Sequence, residues 1–256
     1  MQIETINAFW IGPNLGAMSI ACLRSFMRHG HRVVLHVYDE PCDVPLGVEL
    51  ADAAKLLPRD QIRRYRKSGS HAFAANQFRY EALAAGAGLY VDCDCYCVRP
   101  IEVSDYIMGW ESHSHICNAV LKLPPGSPLL EEMRAIYGKK AFIPPWASRK
   151  IRRKYRLRAA IGLPVGLPDM EWGTTGPLAL THYARHHGVL DRASPPDFFY
   201  SLAPGHANLL FEPGLTIEDL TTPRTRIVHL WNEFTRHINA PPPDGSPLAQ
   251  ILTEGS

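Results

Sequence analysis

The sequence predicts an α/β fold, a single domain built around parallel strands. Three observations carry this. The chain opens on a strand, a helix and a second strand. A second helix later runs through a glycine turn into another strand, Leu89 to Val91. And 256 residues, 46% hydrophobic and 20% charged, suffice for one sizeable core with ordinary composition. The domain is assigned to residues 1–239, with a Pro-rich and loose tail over 240–256.

The elements follow in order. Ile6 to Ile11 is a short apolar run stopped by Gly12-Pro13-Asn14, a strand and its turn. Met18 to His29 carries Ile20, Leu23, Phe26 and Met27 at helical spacing and ends at Gly30. Arg32 to Tyr38 is a buried second strand. A strand–helix–strand opening implies parallel strands joined by a right-handed crossover. Ligands of such sheets bind beyond the carboxyl ends of the strands, which puts Trp10 near a site. Leu50 to Arg66 has no clear pattern beyond a helix start at Pro58 and a basic cluster. His71 to Leu83 is a helix that feeds, through Gly86 and Gly88, into Leu89-Tyr90-Val91.

That strand ends in Asp92-Cys93-Asp94-Cys95-Tyr96-Cys97. Strand side chains alternate, so Asp92 and Asp94 share one face and the three cysteines the other. Two carboxylates on one face repel unless a cation lies between them. A hard divalent ion fits, since it takes oxygen ligands together with phosphate oxygens and water. The alternative is an exposed strand end with solvated carboxylates. Cys93, Cys95 and Cys97 raise a zinc-binding interaction protein as a further reading, against small buried strand residues; no second cysteine pair accompanies them.

The run "NQFRYEALAAGAGLYVDCDC" resembles the core of the Asp-x-Asp glycosyltransferases of the family 32 type, in which a helix with Asp-x-Phe-Arg-Tyr, a Gly-Gly turn and a strand lead to the acidic motif. Asn76 stands where the family usually has Asp, and Gly86-Ala87-Gly88 loosens the glycine pair. The segment from Phe9 to Glu40 resembles the family's first strand–helix–strand unit, with Trp10 at the position that lies against the nucleotide base. The likeness covers residues 6 to 235. It implies a GT-A-type nucleotide-diphospho-sugar transferase fold, with a mixed, mainly parallel sheet flanked by helices. It also implies Mn²⁺ or Mg²⁺ on Asp92 and Asp94, the catalytic pair, and a nucleotide-diphosphate sugar as donor. Asn76, Arg79 and Tyr90 join the donor-binding set, although Arg79 can equally serve as a structural partner of Glu81 or Asp92.

Downstream, Tyr106 to Glu111 and Ile116 to Leu121 read as strands and Pro128 to Tyr137 as an amphipathic helix. The resemblance makes Asn118 a donor-sugar contact. Residues 139–170 read as an insertion with seven basic residues between Arg149 and Arg158, suited to a solvated face, a lid or an anionic-lipid contact. Thr175-Gly176-Pro177 and Thr181 match the family's loop beside the sugars, and Gly176-Pro177 begins a helix that Thr174 or Thr175 could cap. Asp197 to Leu202 reads as a strand. Ile227 to Asn232 resembles the family's last element, and His229 is the third candidate metal contact.

Net charge is +2, which argues against nucleic acid as a partner. No run of eighteen apolar residues appears, and Met1 to Thr5 lacks a signal-peptide layout. Six cysteines without an export signal suggest reduced thiols. The expected compartment is the cytoplasm, with peripheral membrane contact through 149–158. The resemblance implies a hexosyltransferase acting on a saccharide or lipid-linked saccharide with retention, UDP-sugars favoured. A non-catalytic nucleotide-sugar or glycan binder is the alternative, motivated by Asn76.

Overall fold

The computed structural model describes residues 2–139, 141–235 and 241–254. The fold is mixed α/β. Strands β1 (Ile6–Trp10), β2 (Val33–Val37), β3 (Glu49–Asp52), β4 (Leu89–Val91), β6 (Ile107–Trp110) and β7 (Ile116–Lys122) form one sheet in the order β3-β2-β1-β4-β7-β6. The first four pair in parallel, and β7 is antiparallel to both its neighbours. Strands β5 (Cys95–Cys97) and β8 (Ile227–His229) make a separate antiparallel ribbon, with Cys95 opposite His229.

Helices cover both faces, and the strands carry apolar residues on both sides accordingly. On one face, Leu23 and Phe26 of α1 (Ala17–Arg28) pack with Ile6, Ala8, Leu89 and Val91. On the other, α2 (Ala72–Ala84), α3 (Pro128–Ala135) and α5 (Pro177–His186) enclose Phe9, Tyr90 and Leu121. The rings of Phe9 and Phe78 stack with centroids 4.2 Å apart and tie α2 to β1. Gly88 sets the entry to β4. Its φ is +116°, and a Cβ there would lie 2.8 Å from the Thr5 carbonyl oxygen, so a side chain is excluded by conformation and by space.

The strand–helix–strand opening, the α2–β4 unit and both later strands form where the sequence places them. Four expectations change. Asp92-Cys93-Asp94 is not on a strand. β4 ends at Val91, and residues 93–94 turn into β5, which breaks the alternation; Cys93 lines the same cavity as the carboxylates. Asp197 to Leu202 is not a strand. Pro195 and Pro196 start a single helical turn, α6 (Pro196–Phe199), because proline lacks a ladder donor and its fixed φ suits a first helical turn. Only Tyr200 bridges to Val228. Neither Thr174 nor Thr175 caps α5, whose N-cap is Gly176 without a side-chain bond. The tail is not loose from Pro247 on: beyond the short turn α7 (Asn232–Thr235), α8 (Pro247–Glu254) buries Leu248 and Ile251 against α1. The expected boundary at 239/240 lies outside the described residues.

The unclear stretch 50–66 holds the end of edge strand β3 and two 3₁₀ turns, Ala53–Lys55 and Arg59–Gln61. Within 139–170, whose residue 140 lies outside the described residues, Phe142, Leu167 and Met170 are buried in the second core. Between them stands α4 (Arg149–Ala160), with no buried residue. No described helix is long and apolar enough to cross a membrane.

Candidate functional site

Parallel pairing of β1 with β4 brings Trp10 and Asp92 to the same edge of the sheet. There a cavity of about 520 Å³ opens, at the position that parallel strands favour for ligands. Trp10, Asn76, Arg79, Tyr90, Asp92, Asp94, Asn118 and His229 all line it.

The Asp92 side is built mostly from α2. Arg79 Nη2 donates to Asp92 Oδ1 at 2.6 Å and Nη1 to Asn76 Oδ1 at 2.6 Å. The guanidinium carbon sits 4.4 Å from the centroid of the Tyr90 ring. Arg79 is only 2% exposed at its side chain, whereas Asp92 keeps 33%. Asn118 Nδ2 donates to Asn76 Oδ1 at 2.9 Å and to the Tyr80 hydroxyl at 3.2 Å. The Asn76 oxygen thus accepts two bonds and fixes both neighbours. Burial pushes the Asp92 carboxyl up; the Arg79 charge pulls it back and the Asp94 charge adds to the rise. Arg79 stays charged: burial opposes it, but Asp92 outweighs burial.

The Asp94 side is built from the far end of the chain. His229 Nε2 lies 3.1 Å from Asp94 Oδ1, and the backbone N–H of Asn232 donates to Oδ2 at 3.0 Å. Trp231 makes the second bond possible by adopting φ +53°, rare for a bulky residue. Its indole donates to the Leu202 carbonyl at 2.7 Å and its ring meets His229 edge-on, centroids 4.1 Å apart. Burial raises the Asp94 carboxyl, but the His229 charge and the bonds to His229 and Asn232 bring it below its ordinary value. Burial lowers the His229 imidazole, and the Asp94 charge more than reverses that.

Thr175 and Gly176 are not among the lining residues. Thr175 is fully buried, and its carbonyl accepts from Tyr80 and Tyr137 at 3.4 Å each. Gly176 supports the amides from behind: a Cβ there would lie 3.1 Å from Asn118 Nδ2 and 3.3 Å from Asn76 Nδ2. Their neighbours Trp172, Gly173 and Pro177 reach the cavity instead. Sequence reasoning missed Tyr80, adjacent to Arg79 in the same run, and Trp172 and Phe234, which line the cavity and remain exposed. An exposed aromatic carries no sequence signal of its own.

Among the described residues, Asp94, Cys95 and His229 bring ligand atoms within 4.8 Å of one another. Cys95 is fully buried and its thiol is pushed well above its usual range by burial, so it is a poor partner for a hard ion. Asp92 falls outside that group; carboxylate oxygens and the imidazole of His229, whose Nδ1 is buried without a partner, are nonetheless donor types that a divalent ion accepts. Cys93 and Cys97 fall outside that group; the Cys97 thiol donates to the Arg99 carbonyl at 3.2 Å. The cysteine zinc site is therefore not assembled.

No protein-family model matches the chain. No curated protein matches it either. Among solved structures, one titled PaToxG Glycosyltransferase matches with a TM-score of 0.41 at 12% identity, covering 75% of this chain and 74% of that one.

Proposed function

We propose that the chain is a metal-dependent glycosyltransferase of the family 32 type with a GT-A-type fold, moving a hexose from a nucleotide-diphosphate sugar, UDP-linked by preference, to a saccharide or glycolipid acceptor with retention. One observation carries the reading: Asp92 and Asp94 open onto one cavity, beyond the carboxyl ends of the parallel strands β1 and β4, which Trp10 and Asn118 also line. Asp92, Asp94 and His229 would hold Mn²⁺ or Mg²⁺. Such an ion supplies Lewis-acid stabilisation of the departing diphosphate. Trp10 offers an aromatic face to the base. Asn118 and Asn76, locked by Tyr80 and Arg79, orient the sugar. Arg79 acts through Asp92, holding the carboxylate in its rotamer.

A non-catalytic nucleotide-sugar binder is the second reading. It is favoured by Asn76, whose oxygen is already engaged twice within the protein.

Donor hydrolysis across UDP- and GDP-sugars, with and without Mn²⁺, tests both. Manganese-dependent release of one nucleotide, lost in Asp94→Asn, is expected of the enzyme. Calorimetric binding of nucleotide with manganese but no turnover, even with acceptors supplied, supports the binder. No nucleotide binding sinks both. Asp94→Asn is the cleaner variant, because removing Asp92 also strands a buried arginine.

A further inference from the structure

The basic helix α4 takes no part in the cavity. It carries seven basic residues and no acidic one. The ion pairs found among the described residues involve none of them. The helix is nonetheless well formed: Ser148 Oγ caps it by accepting from Ile151 N–H at 3.3 Å. Ile151, Arg152, Tyr155 and Ala159 are half-buried and mark the face turned to the protein. Lys150, Arg153, Lys154, Leu157 and Arg158 line an open groove on the outer face.

Aliphatic groups are set among these charges. Leu157 is 59% exposed, Ile161, one turn on, 71%, and Leu163 58%. Leu163 is fixed beside Arg158, the two exchanging bonds through Leu163 N–H to the Arg158 carbonyl and Arg158 Nε–H to the Leu163 carbonyl. A partner for this surface must supply many anionic groups and an apolar interior at once. A nucleic acid supplies the first, but its bases reward aromatic platforms rather than leucine and isoleucine. An anionic bilayer supplies both: phosphates for the basic side chains and acyl chains for the aliphatic ones.

We infer that α4, with Ile161 and Leu163, docks the protein on the surface of an anionic lipid bilayer. The inference rests on this surface and not on the reading of the cavity.

The test is co-sedimentation of the full chain with vesicles of phosphatidylcholine, alone or mixed with phosphatidylglycerol. Two variants accompany it, Arg153→Gln/Lys154→Gln/Arg156→Gln and Leu157→Ser/Ile161→Ser, each checked for an unchanged circular dichroism spectrum. Binding to the anionic vesicles only is expected, weakened on the order of 100-fold by the charge variant and by roughly 10-fold or more by the aliphatic one. Equal binding to neutral vesicles, or none to either, overturns the inference. So does tight binding of a single-stranded RNA with vesicle binding indifferent to Leu157 and Ile161, which would make α4 a polyanion surface.

Discussion

The two aspartates of one short motif live in different surroundings. Asp92 is held by a permanent cation thirteen residues upstream, inside the same helix–turn–strand unit. Asp94 is held by a titratable imidazole and a backbone amide about 135 residues downstream. Both clamping side chains are buried, but the first clamp needs only local folding. The second exists only once β8 has paired with β5. Two carboxylates two positions apart are thus made unlike, one raised and one lowered from the usual carboxylate range. Environments that push paired titratable groups apart are a common mark of functional sites.

The largest expected effect breaks the first clamp. Asp92→Ala leaves the Arg79 guanidinium buried with Asn76 as its remaining side-chain hydrogen-bond partner, and should destabilise by about 3–5 kcal/mol in urea unfolding. Arg79→Met/Asp92→Ala should recover much of that loss, since no charge is then left unpaired. A single variant as stable as the parent would show that Arg79 is not held by Asp92.

Next in size is the wall behind the amides. Gly176→Ala forces a Cβ against Asn118 and Asn76 and should cost about 1–3 kcal/mol. If the bracket is rigid, nucleotide affinity measured by calorimetry should fall with stability. If the amides simply shift aside, both should stay within error of the parent.

The smallest effect sharpens the difference between the carboxylates. In metal-free buffer the Asp94–His229 pair should contribute about 1–2 kcal/mol, read as the difference between parent and His229→Gln. The histidine is raised in the folded state, so its share is present below its ordinary pKa and is lost as pH rises through the raised value. Asp94 is lowered, so its share is present above the ordinary carboxylate pKa and is lost as pH falls through the lowered value. The parent–variant difference should therefore peak from about pH 5 to about pH 6.5 and shrink on both sides. Asp92, raised when folded, has the opposite sign: its ionisation subtracts stability as pH rises. A difference that does not shrink on either side of that range would mean the pair is neutral when folded.

Much of this was legible in the sequence. Apolar runs, glycine punctuation and helical spacing located β1, α1, β2, α2, β4, β6 and β7, because each is decided by neighbours within a turn or a strand. The Arg79–Asp92 pair was among the readings of the Asn76–Asp94 stretch, since both ends lie in it. Alternation failed at Cys93 because β4 stops at Val91 and a turn resets the faces. The expected strand at 197–202 failed because two prolines fixed the local backbone.

Sequence by itself determined the α/β class, the parallel opening and the acidic motif at the end of β4, all products of local periodicity and chain order. Only the tertiary structure decided that Thr175 is buried while Trp172 lines the cavity, that Gly176 braces the amides, that α8 closes onto α1, and that Asn232 offers its amide to Asp94. These depend on contacts between distant segments and on backbone donors, and a main-chain N–H is the same group in every residue but proline. No pattern of side chains can announce where it will point.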